Sequence, residues 1–143
     1  MLKSFPLLLV AIIAYNALIF GGAVVTGTDA SAILARSVSF TMFSDDIWRF
    51  TLGDLIVLLT LGLLFVEVVK STRTSATQVL NHALSMLAFV IGLTEFLVLR
   101  GFSTTAFFFV VVMTFFDVVA GFTISIVGAR RDLGTTVGVT GTN

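Results

Sequence analysis

Apolar residues run along this chain in four long blocks separated by short polar stretches. The first lies between Lys3 and Asp29, where no charge occurs, and predicts a helix over about 5–26. The second, about 47–69, carries Asp54 near its start and Glu67 near its end. The third, about 76–99, holds His82 and Glu95, and the fourth, about 104–127, holds Asp117 as its only charge. Each block is close to the roughly 20 residues that a spanning helix needs. In lipid every backbone polar group must be paired within the segment, so helices are predicted throughout. This includes the β-branched and Phe-rich run Phe107 to Phe116, which in water would favour a strand. The expected fold class is all-α: an integral membrane antiparallel four-helix bundle forming a single four-span membrane domain over 1–143.

Between the first two spans, an outer segment of about 28–46 repeats Leu34, Val38 and Met42 every four residues. That spacing fits a short amphipathic helix lying on the outer surface, or an ordered loop packed on the bundle end. Ser44 followed by Asp45 and Asp46 suits the start of the second span, because acidic groups favour the positive end of a helix dipole. Ser75 with Gln78 fits a capping box, and Ser103 is placed to cap the fourth helix. The short connections 70–75 and 100–103 make spans two, three and four antiparallel neighbours. The tail 132–143, rich in Gly and Thr, is expected to be flexible. Lys3 before an apolar run and Ala30-Ser31-Ala32 resemble a signal peptide. The run is longer than the usual apolar region of about 7–15 residues, so a retained span is expected.

Composition agrees with the pattern. Hydrophobic residues make up 57% of the 143, charged residues 11%, and the mean hydropathy is +1.12. Soluble domains carry roughly 25% charged residues, so the expected partner is the lipid bilayer. A net charge of zero excludes the concentrated basic face of a nucleic-acid binder. The absence of Cys excludes disulfides and thiolate metal sites, and a single His excludes bis-His haem ligation within one chain. No zinc-protease, nucleophile-elbow, phosphate-loop or dinucleotide motif occurs. No catalytic residue, metal or cofactor is therefore expected, and the chain is read as non-enzymatic. A weaker reading is a membrane hydrolase using Asp54 and Glu95, the two carboxylates nearest to one depth. Basic residues favour both termini on the cytoplasmic side of a bacterial inner (plasma) membrane: Lys3, Lys70, Arg73, Arg130 and Arg131 inside, against Arg36, Arg49 and Arg100 outside.

Ionisable groups inside a span each cost about 2.5–3.5 kcal/mol at mid-bilayer, so each needs a partner. His82, Ser85, Ala88, Gly92 and Glu95 share one face of the third span; Thr114, Asp117, Gly121, Ser125 and Gly128 share one face of the fourth. Small residues for close helix packing are Ala88 with Gly92, Gly121 with Ser125, and Ala17 with Gly21 in the first span, near Asn16. By depth, Arg49 and Arg100 are expected to reach Asp54 and Glu95 near the outer interface. His82 is expected to meet Asp117, together with Asn81 or Asn16. Glu67 is expected to snorkel to the inner interface and pair with Lys70. These groups form either a relay for protons or cations, or polar glue that sets helix register. The expected function is a structural or accessory subunit of a larger membrane assembly or homo-oligomer; the alternative is a proton or cation channel or transporter component.

Overall fold

The computed structural model describes residues 5–72 and 78–139, with side chains for 5–72 and 80–128. The first helix, α1 (Leu7–Thr26), follows Pro6 and stops at Gly27, which adopts a left-handed conformation (φ 63°). The Gly27 N–H donates to the Ala23 carbonyl at 2.9 Å, satisfying one of the carbonyls that a helix end leaves open. The chain then reverses through a five-residue helix, α2 (Ala30–Leu34), and an antiparallel hairpin of β1 (Ser37–Thr41) and β2 (Ile47–Thr51). Three long helices complete the fold: α3 (Leu52–Ser71), α4 (Gln78–Val98) and α5 (Thr105–Val139). Of these elements α1, α3, α4 and residues 105–128 of α5 are long and apolar enough to cross a membrane. The chain thus has the build of a membrane protein. α5 packs along both α3 and α4, and α1 packs chiefly on α3.

Several expectations are corrected. The chain is not all-α, because residues 37–51 form a small sheet in place of an amphipathic helix or loop. Val38 pairs with Phe50 and Phe40 with Trp48, which collects the large apolar side chains on one face of the hairpin. The Phe40 and Trp48 rings lie 5.9 Å apart. Leu34 is buried while Val38 and Met42 are exposed, so the four-residue spacing does not mark a helix face.

The second expected span therefore begins later, at Leu52, with Ile47–Thr51 belonging to β2. Ser44, Asp45 and Asp46 make the hairpin turn, not a helix start: Met42 N–H donates to Asp46 O (2.9 Å), Asp45 N–H to Met42 O (3.0 Å), and Asp45 takes φ 64°. Aspartate tolerates that left-handed geometry better than most residues. The start of α3 is capped by Thr51, whose hydroxyl accepts from Asp54 N–H (3.0 Å) while Asp54 Oδ2 accepts from Thr51 N–H (2.9 Å).

At the tail, α5 continues to Val139, so residues 132–139 are helical. Once nucleated, a helix propagates at little cost where no proline interrupts it. At the start of α5 the cap is Thr104, which accepts from Phe107 N–H at 3.2 Å, and Ser103 donates instead to the Phe96 carbonyl. Ser75, expected to cap the third span, lies outside the described residues, as do Lys3 and Arg73.

The interior divides in two. Near the hairpin, Tyr15, Phe102 and Phe107 pack with ring centroids 4.4–5.3 Å apart, among Ile12, Ile19, Leu34, Val110 and Val111. The Tyr15 hydroxyl donates to Gly101 O (3.3 Å) and shares a 2.6 Å hydrogen bond with Thr104 Oγ1, so its polar tip is satisfied. At the opposite end, beside Pro6 and Leu8, the buried side chains include a polar group: Glu67, Ser71, Asn81, His82, Ser85 and Asp117. Replacing Thr51 by Ala removes the cap at the strand-to-helix junction and is expected to cost about 1 kcal/mol. Thermal unfolding followed by helical circular dichroism, with fluorescence of Trp48 (the single tryptophan) as a local probe, measures this.

Candidate functional site

The polar end is built around Glu67. Gly53, Thr60, Glu67 and Ser71 form the buried line of α3, so the helix turns Glu67 inward and its side chain is 0% exposed. Burying a carboxylate is tolerable only if its oxygens are fully satisfied. Lys70 Nζ approaches Oε1 at 2.8 Å and Oε2 at 3.0 Å. Asn81 Nδ2, from α4, donates to Oε1 at 2.7 Å. Leu7 N–H, at the start of α1, donates to Oε2 at 3.1 Å. The first N–H groups of a helix have no partner within it and carry its positive dipole end, so a carboxylate there is doubly favoured. Lys70 also donates to the Phe5 carbonyl at 2.9 Å, holding the chain on both sides of Pro6. One carboxylate thus joins α1, α3 and α4. The pairing with Lys70 matches expectation. The place does not: Glu67 is sealed within protein and does not snorkel.

His82 and Asp117 are both buried in this region, yet no hydrogen bond joins them. His82 Nε2 pairs with Ser125 Oγ at 2.9 Å. Its ring lies against Gly121, where any Cβ would fall within 3 Å of Nδ1 and Cε1. Only glycine lets α4 and α5 approach with an imidazole between them. Asp117 lies within reach of the Ser85 hydroxyl across the α4–α5 contact, short of full hydrogen-bond geometry. Neither Asp117 Oδ2 nor Ser85 Oγ completes a hydrogen bond, and the Asn81 Oδ1 atom is likewise unpaired.

The remaining candidates lie toward the hairpin. Glu95 Oε2 accepts from Asn16 Nδ2 at 2.8 Å, tying α1 to α4, and Asn16 also donates to the Ile12 carbonyl. Neither Asn16 nor Glu95 joins the polar end. Arg100 is exposed on the α4–α5 connection, and Arg49 stands on β2 opposite Ser39. Among the described residues the one ion pair is Glu67–Lys70, so the expected Arg49–Asp54 and Arg100–Glu95 pairs are not formed. Asp54 is exposed and spent on the α3 cap. Ala88 and Gly92 are buried where α4 meets its neighbours, with Ile12 of α1 against Gly92. Ala17 and Gly21 are exposed on the side of α1 away from the other helices.

Asn81 and Ser85 gain a prominence that their residue types did not announce. The signal available was position: both fall on the face that His82, Ala88 and Gly92 mark on the same helix.

Glu67→Leu strands three donors and is expected to destabilise the fold by about 3–5 kcal/mol, the usual cost of breaking a buried pair. The double variant Glu67→Leu with Lys70→Leu should be milder than the sum of the single changes, measured by denaturant unfolding in detergent. Gly121→Ala is expected to weaken the α4–α5 contact and to shift the His82 imidazole resonances in NMR spectra. The chain matches no protein-family model, no curated protein and no solved structure.

Proposed function

We propose that this chain is a non-enzymatic integral membrane protein, an antiparallel four-helix bundle that serves as a structural or accessory subunit in a homo-oligomer or larger membrane assembly. The observation that carries the reading is a small-residue stripe on α1 left without a partner. Ala14, Ala17 and Gly21 are all exposed, and a Cβ built on Gly21 meets nothing within 4 Å. In lipid, where apolar contact alone does not favour association, such stripes let a second helix approach closely. The buried residues of α1 lie on the other side: Leu8, Ala11, Ile12, Tyr15 and Ile19. The helix thus has one face for its own chain and one for a neighbour. The basic-residue bias favours cytoplasmic termini and places the hairpin outside. Trp48 and Phe40 on the exposed hairpin face suit the interfacial layer, where aromatic side chains concentrate.

A second reading, a proton or cation channel or transporter component, is favoured by a different observation. Asp117 is 2% exposed within an apolar helix and keeps an unpaired oxygen. Buried ionisable groups in spans mark ion paths by default. Under that reading Asp117→Asn abolishes ion flux into liposomes while insertion persists.

The assembly reading is tested with Gly21→Leu. Because no described residue lies within 4 Å of a Cβ there, folding is expected to be unaffected, whereas the oligomer seen by native mass spectrometry in mild detergent should dissociate. A parent protein that is monomeric and partner-free when extracted from its own membrane refutes it.

A further inference from the structure

The polar end contains three buried oxygens that complete no hydrogen bond. Asn81 Oδ1, Ser85 Oγ and Asp117 Oδ2 accept no hydrogen bond, in residues 4%, 2% and 2% exposed. Leaving one such group unsatisfied costs about 1–3 kcal/mol, so three in one folded chain need an explanation. They are grouped by the fold. Asn81 and Ser85 stand one helical turn apart on one face of α4, and Ser85 faces Asp117 on α5. The orientation of the Asn81 amide is fixed, because its Nδ2 donates to the Glu67 carboxylate and its oxygen must point elsewhere.

The charge around them is unbalanced. Glu67 is neutralised by Lys70 at 2.8 Å. His82, the other titratable group facing this region, is engaged through Nε2 with Ser125. Among the described residues Asp117 has no cation paired to it, so its carboxylate, once ionised, carries a charge that nothing beside it neutralises. Carboxylate, amide carbonyl and hydroxyl oxygens are the donor set of a hard cation. With a single carboxylate, and no group of three His, Cys, Asp or Glu among the described residues, the set suits a monovalent ion and not a divalent or transition metal. A water molecule would satisfy hydrogen bonds and leave the charge. A proton on Asp117 would satisfy the carboxyl and Ser85 but leave the amide oxygen of Asn81 unpaired.

The geometry points to a sodium-type monovalent cation site formed by Asn81, Ser85 and Asp117 between α4 and α5. It does not depend on lateral assembly, and occupancy does not require transport. Equilibrium binding tests the site and flux tests the path, so either fails without the other.

The full chain in mild detergent at pH 8 is melted in sodium, lithium, potassium or choline chloride at equal ionic strength. Sodium or lithium is expected to raise the melting temperature saturably over choline, with matching broadening of the ²³Na NMR line. Asp117→Asn should remove that dependence. Ser85→Ala deletes one oxygen, is expected to fold, and should raise the half-saturating concentration about tenfold. Ser125→Ala, on the far side of His82, should leave the dependence unchanged. If Asp117→Asn does not fold, the Ser85→Ala shift decides. Identical melts in sodium and choline overturn the site. So does a sodium effect that Ser85→Ala leaves untouched, since the ion then binds elsewhere. Stabilisation by acid alone, with no alkali cation effect at pH 8, assigns the charge to a proton and overturns it as well.

Discussion

A carboxylate sealed away from solvent has to be answered on all sides, and Glu67 is answered by three different segments: its own helix through Lys70, α4 through Asn81, and the exposed backbone at the start of α1. Everything else at that end takes its position from this demand. The Asn81 amide is turned so that its oxygen faces away from Glu67, and Lys70 pairs with Glu67 and not with Asp117. The same carboxylate supplies the helix-capping group that Pro6, with no side-chain cap of its own, does not provide.

The two halves of the interior use different physics. Around Tyr15, Phe102 and Phe107, ring packing and a satisfied phenol make a dense apolar core that needs no special partners. At the other end few large side chains are available, and hydrogen bonds and small residues bring the helices together instead. Gly121 makes space for His82, and Ser125 receives the imidazole nitrogen. Contacts of the first kind are non-directional and tolerant of repacking, whereas those of the second fix helix rotation and depth. The α1 helix takes part in both, through Tyr15 and through Leu7.

The long helices were legible because an apolar run of some twenty residues is a strong signal that local propensity hardly disturbs. The hairpin was obscured by that same signal. The runs Val38-Ser39-Phe40-Thr41 and Trp48-Arg49-Phe50-Thr51 alternate with the period of a strand. Absorbed into a twenty-residue window, however, Ile47–Thr51 looks like the beginning of the span that follows it. Glu67 shows the limit of depth arguments. Its nearness to Lys70 suggested a pair reaching for water, while the sevenfold spacing of Gly53, Thr60 and Glu67 already placed it on the inward line of α3. Which helix lies opposite that line is a tertiary fact, so the roles of Leu7 and Asn81 could not be read from one chain. The same holds for His82, whose partner on α5 is Ser125, two turns beyond Asp117.

The way α1 is held has a consequence for how the chain can change. At its first turn, beside the buried Leu8 side chain, the helix is clasped through main-chain atoms: the amide of Leu7 to Glu67 and the carbonyl of Phe5 to Lys70. Main-chain atoms are supplied by nearly every amino acid, so drift at positions 5 and 7 leaves the clasp intact, proline at 7 being the exception because it lacks the donor. The polar half of that clasp is written in α3, through Glu67 and Lys70. A foreign apolar helix spliced in place of α1 would meet the same two hydrogen bonds at its first turn.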